Sequence, residues 1–344
     1  MEAPNPTAAA KSDASDEPVV VSGIQPSGRL HLGNYFGAIR QHIDLHQQHE
    51  AYYFIVNYHA MTTVDDPEAL RQHTFDVALD YLALGFDPEE AALFVQSDVP
   101  EVTELTWIFF NLLPTSRLEK GVAYKEKIDA GLTPNAGLFN YPVLQAADIL
   151  TYGGTLVPVG ADQKQNIEIA RDLARRFNNT FCPDDEPLFP VPEPHILDDV
   201  AVVPGIDGQK MSKSYGNTIG IFDEGDDLKE KVMSIVTDSK PLDAPKDPES
   251  CNVFSLIKLF ADEAKTKEIA QNYRDGGYGY GHAKQELLGL IEEFFADARA
   301  KRKELEQRPD YVRDVLRHGA EQARERVAPM MERVRELTGL VRTR

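Results

Sequence analysis

Short apolar runs alternate with longer amphipathic stretches through the first two-thirds of the chain. The short runs are rich in β-branched and aromatic residues, which is typical of buried strands, whereas stretches such as Pro67–Leu84 and Gln163–Phe177 repeat apolar residues at helical spacing. The predicted strands are Val19–Ile24, Tyr52–Val56, Ala92–Gln96, Leu156–Val159 and Val200–Val203. Such alternation predicts an α/β fold, a doubly wound parallel sheet with helices on both of its faces.

Two other regions have no strand pattern. Residues 105–152 are mostly helical in pattern and interrupt the alternation as an insertion. From Asp223 onward the apolar spacing is helical, and the helical stretches there are Phe254–Tyr273, His282–Gln307 and Pro309–Leu337. The predicted organisation is a tail at 1–18, an α/β domain at 19–222 that contains the insertion, and an all-helical domain at 223–344.

The composition is that of a globular protein, with 42% apolar and 27% charged residues among 344. No apolar run is long enough to span a bilayer, and the Ala/Ser/Pro/Asp-rich start lacks the basic and apolar regions of a secretory signal, so we predict a disordered tail. The only cysteines, Cys182 and Cys251, exclude a four-cysteine metal site and give no disulfide framework. We expect no metal site built by the protein and a location in the reducing cytoplasm.

The formal net charge of −20 is unfavourable for binding nucleic acid. The final helical stretches are nevertheless locally basic. Their basic residues are Arg299, Lys301, Arg302, Lys303, Arg308, Arg313, Arg317, Arg324, Arg326, Arg333, Arg335, Arg342 and Arg344. A basic face of this kind is enough for phosphate contacts, and the alternative is that these charges alternate with acids on solvated helices.

Two separate segments suit an anionic ligand. Residues 23–34 continue the apolar run Val19–Val21 into a Gly/Pro/Ser loop and then a helix. There Gly28 and Gly33 allow close approach of the backbone, and the helix start presents free N–H groups to negative charge. Residues 210–214 place two lysines and two serines on a Gly-flanked loop that can follow a polyphosphate as charge develops. Together they predict a nucleotide-activating site.

These segments resemble the two signatures of a class I aminoacyl-tRNA synthetase. HLGN at 31–34 is similar to the HIGH element, and KMSKS at 210–214 matches the second signature in every letter. Other segments resemble bacterial tryptophanyl-tRNA synthetases in order and spacing, namely SGIQPSG, GNYFGAIRQ, VPVGADQKQNIEIARDLARRFN, VTDS, GYGYGHAK and HGAEQARERV. The resemblance runs from about Val19 to the C-terminus.

The resemblance implies a Rossmann-type catalytic domain, an insertion that carries part of the amino-acid pocket and the dimer contact, and a helical domain that reads the tRNA anticodon. It implies a two-step reaction without a covalent enzyme intermediate. L-Tryptophan first reacts with ATP, accompanied by Mg²⁺, to give tryptophanyl-adenylate, and the ester is then formed on tRNA(Trp). The implied partners are tRNA(Trp), L-tryptophan, ATP and a second copy of the chain.

The resemblance also assigns residues to the ATP site. Lys210, Lys213 and Lys127 would follow the charge on the departing pyrophosphate, although Lys127 lies in LEKGVAYKEK, which departs from the family's RMTQFK. For His31, acid–base catalysis is the alternative to a triphosphate contact. The ATP-contacting set is Gln25, Pro26, Ser27, His31, Gly33, Asn34, Gly160, Asp162, Gln163, Lys210, Met211, Ser212, Lys213 and Ser214.

Tyr141, Gln145 and Asp148 are four and three residues apart, which places them on one face of a helix predicted to begin near Pro142. Asp148 lies among apolar residues, and a buried carboxylate needs a hydrogen-bonding partner. Either a structural arginine pairs with it, or a bound amino acid supplies the donor. If the ligand is the only donor, we expect tryptophan to be preferred over phenylalanine by roughly 10⁴–10⁵-fold.

The amino-acid pocket implied by the resemblance consists of Val21, His59, Tyr141, Gln145, Asp148 and Gln163. In it, Tyr141 and Gln163 would hold the α-ammonium group of the substrate. His59 either lines this pocket or is an ordinary surface or core histidine.

The helix that carries Asp148 does not by itself choose between tyrosine and tryptophan. Tyrosyl-tRNA synthetases share its Tyr-x-x-x-Gln-x-x-Asp arrangement, and many tryptophan enzymes have Met at the position of Gln145. The first strand favours tryptophan, because Val21 and Gln25 stand where tyrosine enzymes have a Tyr and an Asp. A valine packs on an indole but cannot hydrogen-bond a phenol. A tyrosyl-tRNA synthetase and a non-catalytic synthetase paralogue are the remaining alternatives.

The segment Leu105–Leu113 is apolar on every face of its predicted helix. Such a segment is either deep core or an interface. We therefore expect a homodimer that is formed through the insertion.

Overall fold

In the computed structural model of the protein, the residues described are 17–26, 28–129, 131, 133–160, 163–195 and 203–340. Five parallel strands form one sheet in the order β3-β2-β1-β4-β5. The strands are β1 (Val20–Ile24), β2 (Ala51–Ile55), β3 (Ala92–Val95), β4 (Leu156–Pro158) and β5 (Glu193–His195). The sheet confirms the predicted doubly wound α/β fold, since the order runs outward in both directions from β1.

The fifth strand of the sheet was not predicted from the sequence. Residues 200–202 of the predicted strand Val200–Val203 lie outside the described residues, and Val203 is buried but not in a strand. The strand at this edge is instead β5, whose sequence Glu-Pro-His has no apolar β-branched residue. Proline is tolerated there because an edge strand leaves one row of backbone groups unpaired.

The helices of the described residues follow the predicted alternation and insertion. They are α1 (Leu32–Asn34), α2 (Arg40–His46), α3 (Asn57–Ala60), α4 (Pro67–Ala83), α5 (Glu101–Phe110), α6 (Thr115–Leu118), α7 (Val122–Asp129), α8 (Ala136–Leu150), α9 (Lys164–Phe181), α10 (Gly225–Ser234), α11 (Asn252–Phe260), α12 (Glu263–Asp275), α13 (Tyr280–Phe294), α14 (Ala296–Glu306) and α15 (Pro309–Thr338). A π-helical segment, Tyr35–Ile39, joins α1 to α2. Among the described residues no helix is both long and apolar enough to cross a bilayer.

Helix α8 begins earlier than its sequence pattern predicts. It starts at Ala136, and the side chain of Asn135 accepts a hydrogen bond from the Leu138 N–H at 2.8 Å, which caps the helix. Pro142 therefore lies inside the helix, and Tyr141 stands within its second turn rather than at its start. Proline is favoured in the first turn of a helix, so the sequence predicts a start near Pro142, which is wrong because the Asn135 cap begins the helix earlier.

The long helix α15 joins the C-terminal helices to the sheet. A Cβ atom on Gly319 would come within 2.2 Å of the Leu93 carbonyl oxygen, so only glycine lets α15 lie this close to β3. Ala323 and Val327 of α15 are buried in the same core as Val21 of β1. The division at residue 223 into separate domains stays a prediction.

Strands β1 and β4 separate toward their carboxyl ends. Their register pairs Val20 with Leu156 alone, and further along the Ser22 hydroxyl donates to the Pro158 carbonyl at 3.4 Å. The sheet order reverses between these two strands, which is where open α/β sheets form their ligand crevice. The functional site is therefore expected at this edge.

Candidate active site

A cavity of about 490 Å³ opens at the carboxyl edge of the sheet, between β1 and β4. Phe54, Val56 and Ile149 give it apolar walls. The predicted site residues that line it are Val21, Gln25, His59, Tyr141, Gln145, Asp148, Gly160 and Gln163. The structure thus brings together all six residues of the implied amino-acid pocket and three of the implied ATP contacts, with Gln163 belonging to both sets.

Asp148 is only 2% exposed, and its buried carboxylate has two hydrogen-bonding partners within the protein. His59 Nε2 lies 2.8 Å from Asp148 Oδ2, and the Gln96 amide nitrogen donates to both carboxylate oxygens at 2.8 Å. The expected structural arginine was therefore wrong, and a bound amino acid is not needed as the only donor; a hydrogen bond from the ligand to Asp148 stays a prediction. Oδ1 has only the Gln96 amide among these donors, so it retains capacity to accept a further hydrogen bond.

Gln96 is a functional candidate that the sequence analysis did not assign. Its side-chain oxygen accepts the Tyr58 backbone N–H at 3.0 Å, which turns its amide nitrogen toward Asp148. It directly follows β3, and a polar residue placed there stands at the carboxyl edge of the sheet. The position of this polar residue directly after a strand is the sequence signal that could have identified Gln96. Gln96 and His59 together fix the orientation of the Asp148 carboxylate.

A second polar group faces the cavity from α8 and α9. The Gln163 side-chain oxygen accepts from Gln145 Nε2 at 3.5 Å and from Asn166 Nδ2 at 3.0 Å, and Asn166 Nδ2 also lies 3.4 Å from the Tyr141 hydroxyl. Asn166 is buried and was not predicted. The group offers oxygen acceptors on Tyr141 and Gln163, which suit a substrate ammonium group.

The two signature segments lie side by side. The Leu32 N–H donates to the Ile219 carbonyl at 3.0 Å, and the Ile221 N–H donates to the Leu30 carbonyl at 3.1 Å, so residues 30–32 and 219–221 run as a short antiparallel ladder. A Cβ on Gly33 would lie 3.0 Å from the His31 ring and 3.4 Å from Met211 Cβ. A side chain there would crowd the signatures apart, which is the close approach that glycine permits.

The lysine loop is held by Asn217, a buried residue that the sequence analysis missed. Its side-chain oxygen accepts the Ser212 N–H at 2.8 Å, and its amide nitrogen donates to Asp207 at 2.7 Å and to the Lys210 carbonyl at 3.1 Å. These three hydrogen bonds from one side chain hold the loop backbone closed around Asn217. Met211 is buried beneath it.

Lys213 reaches back to the first signature. Its Nζ donates to the Gly28 carbonyl at 3.0 Å. Burial lowers the pKa of Lys213, and the charge of Asp80 acts in the opposite direction. Burial, assisted by the charge of Lys213, lowers the pKa of His31 to about 4. His31 is therefore neutral at pH 7, and its backbone N–H is capped by the Asn34 side chain at 3.0 Å.

The remaining predicted residues are less informative. Pro26 is buried, whereas Lys210 and Ser214 are exposed and can reach a ligand from the lysine loop. Ser27, Asp162 and the side chain of Lys127 lie outside what the structure describes. Within the described ranges, no group of three or more His, Cys, Asp or Glu side chains could hold a metal ion.

Known proteins match this chain over most of its length. Residues 13–296 match the family described as "tRNA synthetases class I (W and Y)". The chain is 53% identical to a tryptophan–tRNA ligase of Rhodopirellula baltica, and the match covers 93% of this chain and 99% of that protein. It is 50% identical to a tryptophan–tRNA ligase of Fusobacterium nucleatum, and that match covers 93% of this chain and 98% of that protein.

A solved structure matches the fold closely. The crystal structure of tryptophanyl-tRNA synthetase from Campylobacter jejuni, complexed with ADP and tryptophan, superposes with a TM-score of 0.87 at 46% identity, which covers 93% of this chain and 99% of that one. The chain belongs to the class I tRNA synthetases (W and Y), on their tryptophan–tRNA ligase branch.

Proposed function

We propose that the chain activates L-tryptophan with ATP to tryptophanyl-adenylate and transfers the tryptophanyl group to tRNA(Trp). The observation that carries this proposal is the buried Asp148 carboxylate, held by Gln96 and His59 at one end of an apolar cavity. Such a cavity fits a large aromatic side chain that has one donor. Membership of the family supports this function over a non-catalytic paralogue.

The indole of tryptophan would lie between Val21 and the apolar walls. Val21 offers no hydrogen bond to a phenol, so the cavity favours indole over tyrosine. The indole N–H would donate to Asp148 Oδ1, which the Gln96 contact leaves with accepting capacity. The α-ammonium group would lie against Tyr141 and Gln163, whose oxygens face the same cavity.

ATP would bind along the two signatures, with its phosphates toward the lysine loop. The tryptophan carboxylate attacks the α-phosphorus, and the bond to the β-phosphate oxygen breaks to release pyrophosphate. Lys210, Lys213 and Lys127 stabilise the charge that develops on that leaving group. Lys213 would exchange the Gly28 carbonyl for a phosphate oxygen.

His31 would contact the triphosphate as a neutral imidazole. A pKa of about 4 is far from the operating pH, which makes His31 a poor general acid or base. Mg²⁺ would arrive with the nucleotide as MgATP, because Mg²⁺ commonly keeps its waters and binds through substrate phosphates rather than through an all-protein cage. When bound, it neutralises phosphate charge.

The helices from α10 to α15 would bind tRNA(Trp) and read its anticodon. Several of their arginines are paired with acids, for example Arg313 with Asp310 at 2.9 Å and Arg317 with Asp314 at 2.6 Å. Both pairs are exposed and therefore weak, so phosphate groups can compete for these arginines. We place the protein in the cytoplasm, in keeping with its two unpaired, buried cysteines.

The chain would act as a homodimer. Leu105 and Phe109 of α5 are buried, whereas Trp107 is 69% exposed and packs edge-on against Phe110 at 6.4 Å between ring centroids. The segment is therefore core on one side and an uncovered aromatic surface on the other. Large exposed aromatic side chains are typical of interface centres.

Aminoacylation of a tRNA(Trp) transcript tests the proposal. Purified protein with ATP, Mg²⁺ and labelled tryptophan should form an alkali-labile tryptophanyl ester on the tRNA, and omission of ATP should abolish it. A tRNA(Tyr) transcript with labelled tyrosine is the matched control and should stay uncharged. Binding of tryptophan without any charging would contradict the proposal.

A further inference from the structure

Asp80 is a buried acid that lies behind the nucleotide site and takes no part in the chemistry described above. It is on α4, is 1% exposed, and lines a small cavity together with Leu30 of the first signature segment. Burying a carboxylate is costly unless it is paired. Its partner comes from far along the chain: Arg302 Nε of α14 donates to Asp80 Oδ1 at 2.6 Å.

Helix α14 contacts one strand of this ladder, at Ile221, and the residue that follows it, Phe222. Arg302 stacks over the Phe222 ring, 5.1 Å from its centroid, and the buried Arg299 donates from Nε to the Ile221 carbonyl at 3.1 Å. The Ile221 N–H in turn donates to Leu30. A chain of hydrogen bonds thus runs from Arg299 of α14 through Ile221 to Leu30 of the first signature segment, and Arg302 of the same helix holds Asp80 beside that segment.

Asp80 also acts on the lysine loop through its charge. Burial lowers the pKa of Lys213, and Asp80 is the acid whose charge opposes that effect. In a half-buried setting such a charge acts over a longer range than it does in water. The Asp80 carboxylate therefore lies beside the Leu30 segment and favours the charged form of Lys213.

We propose that Asp80 and Arg302 form a positioning pair through which α14 sets the geometry and charge of the ATP site. The inference rests on the proposed function, because Lys213 is taken to bind the phosphates of ATP. Neither residue lines the cavity proposed to bind tryptophan, so both act through Leu30, Ile221 and Lys213. The pair also gives the C-terminal helices a direct route to the nucleotide site.

The pair has a distinctive pH signature. Burial raises the pKa of Asp80 to about 6, although the Arg302 hydrogen bond opposes the rise. Asp80 is therefore charged at neutral pH and protonated in mild acid, and the pair is lost as pH falls through about 6. The other ionisable groups in this region are Asp76, Lys213, Asp223, Glu224, Arg29, Arg299, Lys303 and Glu306.

The test is ATP-dependent pyrophosphate exchange with full-length Asp80→Asn, which removes the charge and keeps the size. We expect the KM for ATP to rise about tenfold, the scale of coupling within one polar network, while the KM for tryptophan stays within twofold. Asp76→Asn is the matched control: it is one turn away on α4, its carboxylate lies 3.6 Å from Arg302 Nη2, and it is more exposed. Its KM for ATP should change less than twofold.

A double variant separates positioning from stability. The double variant Asp80→Asn with Arg302→Gln leaves no buried charge unpaired. The melting temperature of the double variant should therefore be close to that of the wild type, while its KM for ATP stays raised. In wild-type protein the KM for ATP should rise below about pH 6, and Asp80→Asn should lack this rise. The pH dependence of KM for ATP in the wild type can be measured even if a variant fails to fold.

Three results would overturn the inference: an unchanged KM for ATP in Asp80→Asn, recovery of that KM in the double variant, or one pH profile for both proteins. Wild-type protein without tryptophan-dependent exchange would instead contradict the proposed function. The two failures are therefore distinguishable in one set of assays.

Discussion

Removal of the Asp148 carboxylate should reduce discrimination between tryptophan and phenylalanine. In the wild type, phenylalanine leaves Asp148 without the indole donor, but His59 and Gln96 still hold the carboxylate. The penalty is then one charge-assisted hydrogen bond, about 1.5–3 kcal/mol or roughly 10–150-fold. The smaller ring adds roughly 10–200-fold through lost apolar contact, the range for small changes in a hydrophobic pocket.

The structure thus lowers the expected preference from roughly 10⁴–10⁵-fold to roughly 10²–10⁴-fold. Asp148→Ala should lose the hydrogen-bond part, so the ratio of kcat/KM for tryptophan to that for phenylalanine should fall by about 10–150-fold. Asp148→Asn should fall in between, because a neutral acceptor replaces a charged one. Asp148→Ala also leaves the buried Gln96 amide without its acceptor, which costs about 1–3 kcal/mol of folding stability.

Pyrophosphate exchange with each amino acid measures these ratios, and a melting curve checks that each variant is folded. Tyr141→Phe is the matched control: it lies on the same helix but faces the ammonium group, so it should lower kcat/KM for both amino acids and leave their ratio unchanged. A folded Asp148→Ala variant that keeps the wild-type ratio within threefold would refute the hydrogen-bond argument. Faster activation of tyrosine than of tryptophan would refute the specificity argument drawn from Val21.

Three further predictions concern the lysine loop, the histidine beneath it and the exposed face of α5. Lys213→Ala should slow adenylate formation in single turnovers by about 10²–10³-fold, with tryptophan binding nearly unchanged; a near wild-type rate would remove Lys213 from the transition state. The pKa of His31 is lowered from 6.5 to about 4 in the folded protein, so between these pH values the unfolded chain binds more protons than the folded one. The free energy of unfolding should therefore rise with pH between about 4 and 6.5. Urea titrations should show that His31→Gln flattens this rise. Sedimentation should give about twice the 38.4 kDa monomer mass, and Trp107→Glu should give the monomer, whereas a wild-type monomer would exclude the proposed interface.

The sequence predicted elements best where one local pattern determined them. Strands β2 to β4 consist almost wholly of apolar residues, and β1 begins with the apolar pair Val20 and Val21; a buried parallel strand needs little else. Strand β5 has the sequence Glu-Pro-His, so its pairing with β4 comes from the tertiary structure and not from its own side chains. The start of α8 depended on a single capping residue, Asn135, which outweighed the proline further along.

The site shows the same limit. The lysine loop (residues 210–214) stands out in the sequence because two lysines lie on a Gly-flanked loop, and Asp148 stands out because a carboxylate lies among apolar residues. The partner of Asp148 does not, because Gln96 is 52 residues away and an amide after a strand is ordinary. Asn217 was missed for a related reason: its contacts are largely to backbone groups, which carry no sequence signal. Distant partners become visible only when the fold brings their elements together.

The most direct test of the central claim is pyrophosphate–ATP exchange by the full chain with each of the twenty amino acids separately. Exchange tests activation and specificity together, and it needs no tRNA. We predict exchange that depends on tryptophan and exceeds that with phenylalanine by roughly 10²-fold or more. Absence of exchange with every amino acid would show a binding protein without activity, and exchange led by tyrosine would show that the cavity was assigned to the wrong substrate.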